Sequence, residues 1–107
     1  MADTHARAEP TETERARLGR IAFRAWRRGF READLVLGPF ADREGPTLTP
    51  TDMTDFETLL MLDDDHRLYA WIIGTEATPA EYETSVMARI RAFMRAHVAA
   101  EVAKGAG

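Results

Sequence analysis

Apolar residues recur at helical spacing in several stretches of this chain, and nowhere do they alternate with the period of two of a half-buried strand, which predicts an all-α protein. Thr11 with Glu14 three residues later is a capping-box signature, so the first helix is expected to start at Thr11 or Glu12. Leu18, Ile21, Ala22 and Ala25 then form its buried stripe, and Arg20, Arg24, Arg27 and Arg31 form a second stripe on the opposite side. Gly29 would fall within the buried stripe, where glycine is about 1 kcal/mol worse than alanine and offers nothing to pack. This predicts a break, with a second helix from about Phe30 to Leu37 ending at Gly38-Pro39 and a loop from Asp42 to Leu48.

Thr49-Pro50-Thr51-Asp52 predicts the start of a third helix, with Thr49 as N-cap, Pro50 in the first turn and Asp52 facing the positive end of the helix dipole. Leu48 and Met53 occupy the positions of a hydrophobic staple, and Met53, Phe56, Leu59 and Leu60 give the buried face. Asp63-Asp64-Asp65 supplies an N-cap for a short fourth helix carrying Leu68, Tyr69, Trp71 and Ile72 and closed by Gly74. Thr78-Pro79-Ala80-Glu81 repeats the start signal and predicts a fifth helix, with Tyr82, Val86, Ile90, Phe93, Met94 and His97 or Val98 on one side and fraying after Glu101. The expected architecture is a compact five-helix bundle in a single domain over residues 11–101, with a disordered tail over residues 1–10 and a flexible one over residues 102–107.

A chain of 107 residues with 45% hydrophobic content supports one such core and not two. It has no run of apolar residues long enough to span a membrane, so no membrane insertion is expected, and its acidic start does not read as a transit peptide. With no cysteine there is neither disulfide nor thiolate chemistry, which leaves the redox compartment open and cytoplasm as the default. The net charge of -4 is unevenly spread: seven arginines and no acid lie between Arg15 and Arg31, whereas Asp42 to Asp65 holds eight acids and one arginine. The two blocks are free to face each other or a partner.

Catalytic residues do not emerge. His5, His66 and His97 lack metal-ligand spacing, and His97 reads as a residue near a helix C-terminus. The aspartate triplet lacks the alternating ligands, glycine and terminal glutamate of a calcium loop. Ser85, the one serine, has no histidine in register, and no glycine-rich phosphate loop occurs. The chain therefore reads as a non-enzyme with neither a catalytic nor a metal site.

The informative stretch is Arg27-Arg28-Gly29-Phe30-Arg31-Glu32-Ala33-Asp34. Arg28 can offer a planar fork to a carboxylate or phosphate, Gly29 can admit a partner backbone, and Glu32 and Asp34 can orient the arginine or accept from the partner. Arg28 and Glu32 are also spaced for an i,i+4 ion pair, in the order less favoured by the helix dipole. Phe23, Trp26 and Phe30 flank the stripe; core packing suits Trp26, and a contact surface suits Phe23 and Phe30 better.

Arg28-Gly29-Phe30-Arg31-Glu32 resembles the R-G-x-x-E motif of the SdhE-type FAD assembly factors, the flavinylation factors of the succinate dehydrogenase flavoprotein, and Arg27 and Asp34 fit its flanks. A second block, Phe56-Glu57-Thr58-Leu59-Leu60, then Asp63-Asp64-Asp65, then Leu68-Tyr69-Ala70-Trp71, is similar to that family's F-x-x-L-L…D…L-[FY]-x-W run. The likeness covers roughly Leu18 to Met94, and Ala33 stands where the family more often has leucine. It implies a chaperone that binds the flavoprotein subunit of succinate dehydrogenase, with that of fumarate reductase as a second candidate client, and assists covalent attachment of FAD to a client histidine. It also implies that Arg28, Gly29 and Glu32 form the contact patch with Arg27 and Asp34 beside them, and that FAD belongs to the client rather than to a tight site here. The alternative is a small helical nucleic-acid-binding module, suggested by the arginine stripe and weakened by a pI near 5.3; the resemblance itself adds an antitoxin-like regulatory role as a further alternative.

Overall fold

In a computed structural model, which describes residues 10–106, Thr11 caps α1 (Glu12–Ala25) and Thr49 caps α3 (Pro50–Leu60), each as a full capping box. Thr11 Oγ1 accepts from the Glu14 N–H at 3.1 Å and Thr49 Oγ1 from the Asp52 N–H at 3.0 Å. Asp64 caps α4 (Asp65–Ile73), and Gly74 closes it at φ +86. The expected tail over residues 1–10 lies almost wholly outside the described residues. Among the described residues there are five α-helices, two 3-10 turns and no strand, so the chain is all-α. No helix among them is long and apolar enough to cross a membrane.

Three expected boundaries are corrected. Helix α2 (Arg31–Glu44) runs straight through Gly38-Pro39 and gains seven residues beyond Leu37, followed by a 3-10 turn at Gly45–Thr47 where a loop was expected. The reason is tertiary: Phe40 and Ala41 beyond the proline are buried, and Phe40 meets Phe56 and Phe93 edge-on at 5.3 and 5.7 Å. Pro39 removes the donor for the Leu35 carbonyl, and Leu35 is itself exposed, so water can satisfy that oxygen.

The Thr78-Pro79 signal starts only a 3-10 turn, Ala80–Tyr82, and α5 (Ser85–Ala106) begins at Ser85. Thr78 Oγ1 accepts from Arg91 Nη2 at 2.5 Å, and Arg91 also donates to both oxygens of Glu83, so the segment is tied to α5 from outside. At its other end α5 continues past Glu101, consistent with the helix propensity of Ala99, Ala100 and Ala103. His97 is therefore several turns from the helix end, stacked on Phe93 at 5.5 Å, rather than facing the end of the dipole.

The core is built from all five helices, with α2 packed against α1, α4 and α5. Leu48 and Met53, the expected staple, are both fully buried. Asp52, also buried, accepts from Ser85 Oγ at 2.7 Å, joining the start of α3 to that of α5. Part of the basic block does face the acidic one. Arg17 donates to both oxygens of Glu57, at 2.6 and 3.0 Å, and to Thr54, linking α1 to α3.

The hydrogen bonds from Arg17 hold the Glu57 carboxyl below its ordinary value. A carboxyl lowered in the folded state stabilises the protein above its unfolded pKa, and that contribution is lost as pH falls through the folded value. Glu57→Gln is expected to be less stable than the parent at pH 7 by about 1 kcal/mol or less, since both side chains are partly solvated. The gap should narrow as pH falls below the ordinary glutamate range and the parent carboxylate takes up its proton. Urea titrations at pH 7 and pH 3 check this, and an undiminished gap at pH 3 contradicts it.

A candidate partner-binding site at the first helix junction

Between α1 and α2 the chain makes a short turn over residues 26–30. Trp26 is the C-cap of α1, Phe30 precedes α2 in extended backbone, and Gly29 lies at φ +92, a region that residues with a Cβ rarely adopt. Gly29 is exposed, and a Cβ built on it would meet nothing within 4 Å. The glycine therefore serves the turn and leaves open space above it.

Arg28 does not offer its fork to solvent. Its side chain is only 7% exposed, with Nε 2.8 Å and Nη2 2.6 Å from Asp65 Oδ1. Nη1 donates to the Leu60 carbonyl and Nη2 to the Leu62 carbonyl. The Leu60 carbonyl is an orphan at the C-terminus of α3, the Leu62 carbonyl lies just past its Met61 cap, and Asp65 is the first residue of α4, so one guanidinium caps the end of α3 and neutralises an acid of α4. The expectation of a free fork is corrected in this respect: the cation is consumed by the chain's own helix ends. Asp65, read from sequence only as part of an acidic corner, is its partner, and no local spacing signal links two residues 37 apart.

The Arg28–Glu32 ion pair is absent too, because the Gly29 turn separates the two residues and α2 begins only at Arg31. Instead Asp34 Oδ1 accepts from the Arg28 backbone N–H at 2.8 Å, bracing the turn. Glu32 is exposed and, among the described residues, makes no hydrogen bond or ion pair. Arg27 is exposed as well, its guanidinium lying 4.0 Å above the ring of Phe23.

The aromatic residues divide differently from expectation. Phe23 is 59% exposed. Phe30 packs inward on His66 at 4.3 Å and edge-on to Tyr69 at 5.6 Å, so it is a support of the turn rather than a free contact. Trp26 lies outside the main core, over Gly38, with its N–H donating to Asp42 at 3.1 Å. A cleft of about 380 Å³ opens beside the turn, with Phe23, Arg24 and Arg27 on one side and Met61 and Asp63 on the other. Met61, which sequence reasoning passed over, is largely exposed there.

The two sequence blocks are thus one physical unit. Arg28 of the first is clamped to Leu60, Leu62 and Asp65 of the second, while Phe56, Leu59, Leu68 and Trp71 of the second are buried in the core. What this unit presents outward is Arg27 and Gly29 on the turn and Glu32 in the first turn of α2. Among the described residues no group of histidines and acids could hold a metal ion.

A protein family described as "Flavinator of succinate dehydrogenase" matches residues 19–94. The chain is 35% identical over 75 residues to a protein of Acetobacter pasteurianus named "FAD assembly factor SdhE", covering 70% of this chain and 68% of that one. It is 33% identical over 79 residues to "Succinate dehydrogenase assembly factor 2, mitochondrial" of Dictyostelium discoideum, and 26% identical over 83 residues to "Succinate dehydrogenase assembly factor 2-A, mitochondrial" of Drosophila erecta. These alignments cover 74% and 77% of this chain but only 55% and 51% of the mitochondrial proteins, so it spans about half their length. With the matched region running from α1 to α5 and containing both sequence blocks, the chain belongs to the family of flavinators of succinate dehydrogenase.

Proposed function

We propose that this chain is an assembly factor that binds the flavoprotein subunit of succinate dehydrogenase and promotes the covalent attachment of its FAD. The observation that carries the reading is the pairing at the helix junction of an open, positive-φ glycine with an exposed, unpaired Glu32, on a turn braced by Arg28 and Asp34. An unpaired acid beside a bare stretch of backbone is suited to receive a partner's main chain and a donor group. Arg27, Gly29 and Glu32 make the contact in this reading, and Arg28 and Asp34 hold them in position.

The factor supplies no group to the bond-forming step. FAD stays with the client, and the factor holds client segments so that flavin and the accepting histidine meet, a proximity effect delivered in trans. The fumarate reductase flavoprotein is a second client under the same reading.

Glu32→Ala tests it. The side chain is exposed and unpaired, so thermal unfolding should be unchanged within about 0.5 kcal/mol. Loss of a central contact should weaken client binding by about tenfold or more. In a strain whose own factor is deleted, in-gel flavin fluorescence of the succinate dehydrogenase flavoprotein should fall when the variant replaces the parent. Full fluorescence at limiting expression, with a folded variant, would remove Glu32 from the contact and with it the main support for this reading.

A further inference from the structure

The outward side of α1 carries two cations, Arg20 and Arg24, that the helix junction does not use, and Arg27 of the turn continues their line. Arg20, Arg24 and Arg27 are exposed and, among the described residues, none of them makes an ion pair. Arg20 and Arg24, four apart on one side of α1, repel by a few tenths of a kcal/mol. Glu57 on α3 attracts both through space, but its two oxygens are hydrogen-bonded by Arg17, so neither guanidinium is paired directly and both forks stay open to a partner.

Apolar surface lies among these cations. Phe23 is 59% and Met61 64% exposed, and Arg24 Nη1 reaches Met61 Sδ at 3.5 Å. The 380 Å³ cleft lies on one side of Phe23 and Arg24. On the other side a shallow concavity of about 510 Å³ runs along Ala16, Gly19 and Arg20, where Gly19 has nothing within 4 Å of its Cβ position. A polar rim of arginines around an aromatic and a thioether matches the composition of a protein-binding patch.

We propose that this strip docks an acidic segment of the flavoprotein client, with carboxylates set against Arg20, Arg24 and Arg27 and one apolar side chain seated between Phe23 and Met61. The proposal rests on the reading that the flavoprotein is the client. Along the axis of α1 Arg20 and Arg24 are about 6 Å apart, the same separation as carboxylates four residues apart on a client helix. Guanidinium forks bind such carboxylates bidentately. A polyanion is the poorer occupant: the chain as a whole carries -4, so its field repels nucleic acid or an anionic membrane beyond the strip. A short acidic segment meets only the strip.

The test measures binding of the purified flavoprotein subunit to the full chain by calorimetry, comparing the parent with R20E/R24E, Phe23→Ala and a single charge reversal away from the strip, Arg95→Glu, on the exposed side of α5. R20E/R24E should bind at least about tenfold more weakly and show a flatter salt dependence, while Phe23→Ala should lose about threefold or more and Arg95→Glu should match the parent. Melting temperatures identify any variant that has lost its fold, and the Phe23→Ala result stands independently of the charge reversal. If the parent binds and R20E/R24E binds equally well, or Arg95→Glu loses as much, the strip is overturned while the client assignment survives. If the parent itself does not bind, both fall. A 20-base-pair duplex or phosphatidylglycerol vesicles run in parallel, and binding to either that R20E/R24E abolishes would assign the strip to a polyanion instead.

Discussion

Arg28→Ala is expected to destabilise the protein by about 2–3 kcal/mol, below the range for a fully buried ion pair because Asp65 is 22% exposed at the edge of the cleft. The magnitude follows from what the guanidinium leaves behind. The Leu60 and Leu62 carbonyls lose their donor at the end of α3, and Asp65 loses its cation while remaining largely covered. Each orphaned acceptor costs about 1–3 kcal/mol when water cannot replace the donor. Domains of this size are typically stable by about 5–15 kcal/mol, so such a loss removes a large share of the total and lowers the abundance of folded factor. Arg28→Lys should rescue only part of it, because one ammonium on a flexible stem cannot reproduce a planar fork that serves two carbonyls and a carboxylate together. Urea denaturation of the parent and both variants reads the difference, and a loss below about 1 kcal/mol for Arg28→Ala would show that solvent reaches the clamp.

This prediction bears on function. A strain carrying Arg28→Ala should lose covalent flavin on the client, but through loss of folded factor and of a correctly held Gly29, not through a missing contact. Arg28→Ala and Glu32→Ala therefore give the same fluorescence phenotype with opposite stability results. The sequence motif contains both residues without distinguishing an internal clamp from an external contact.

Gly38→Ala is expected to destabilise by about 1–3 kcal/mol even though alanine is the better helix former, a reversal that isolates the packing contribution. A Cβ at position 38 would stand 2.2 Å from Trp26 Cδ2, 2.4 Å from Cε2 and 2.6 Å from Cε3, far inside contact distance. Either the indole or the α1–α2 spacing must give way. Trp26 is 38% exposed, so the ring can swing outward, at the expense of its packing on α2 and of its hydrogen bond to Asp42. Tryptophan emission should then shift to longer wavelength, since Trp71 stays buried. A variant as stable as the parent with unchanged emission would mean that the ring accommodates the methyl group without loss.

That glycine illustrates where local reading stops. A Gly-Pro pair is a sound stop signal when the helix has nothing to gain by continuing. Here Gly38 is bare because an indole from the preceding turn lies on it, and the residues after Pro39 include Phe40, the centre of the aromatic core. The Thr78-Pro79 signal failed in the opposite sense. Its threonine side chain was taken by Arg91, thirteen residues away, before it could cap a helix.

From the sequence by itself one could determine the all-α class, the starts of α1, α3 and α4, the break at Gly29 and the stretch that marks the family, because capping oxygens, glycine φ preferences and 3.6-residue periodicity act over four residues or fewer. Only the tertiary structure decided that α2 passes through its proline, that Arg28 points inward to Asp65, and that Phe30 supports the turn which Glu32 flanks. Those outcomes depend on which helix ends and rings meet across gaps of 16 to 53 residues, and packing of that range leaves no local trace in the order of the amino acids.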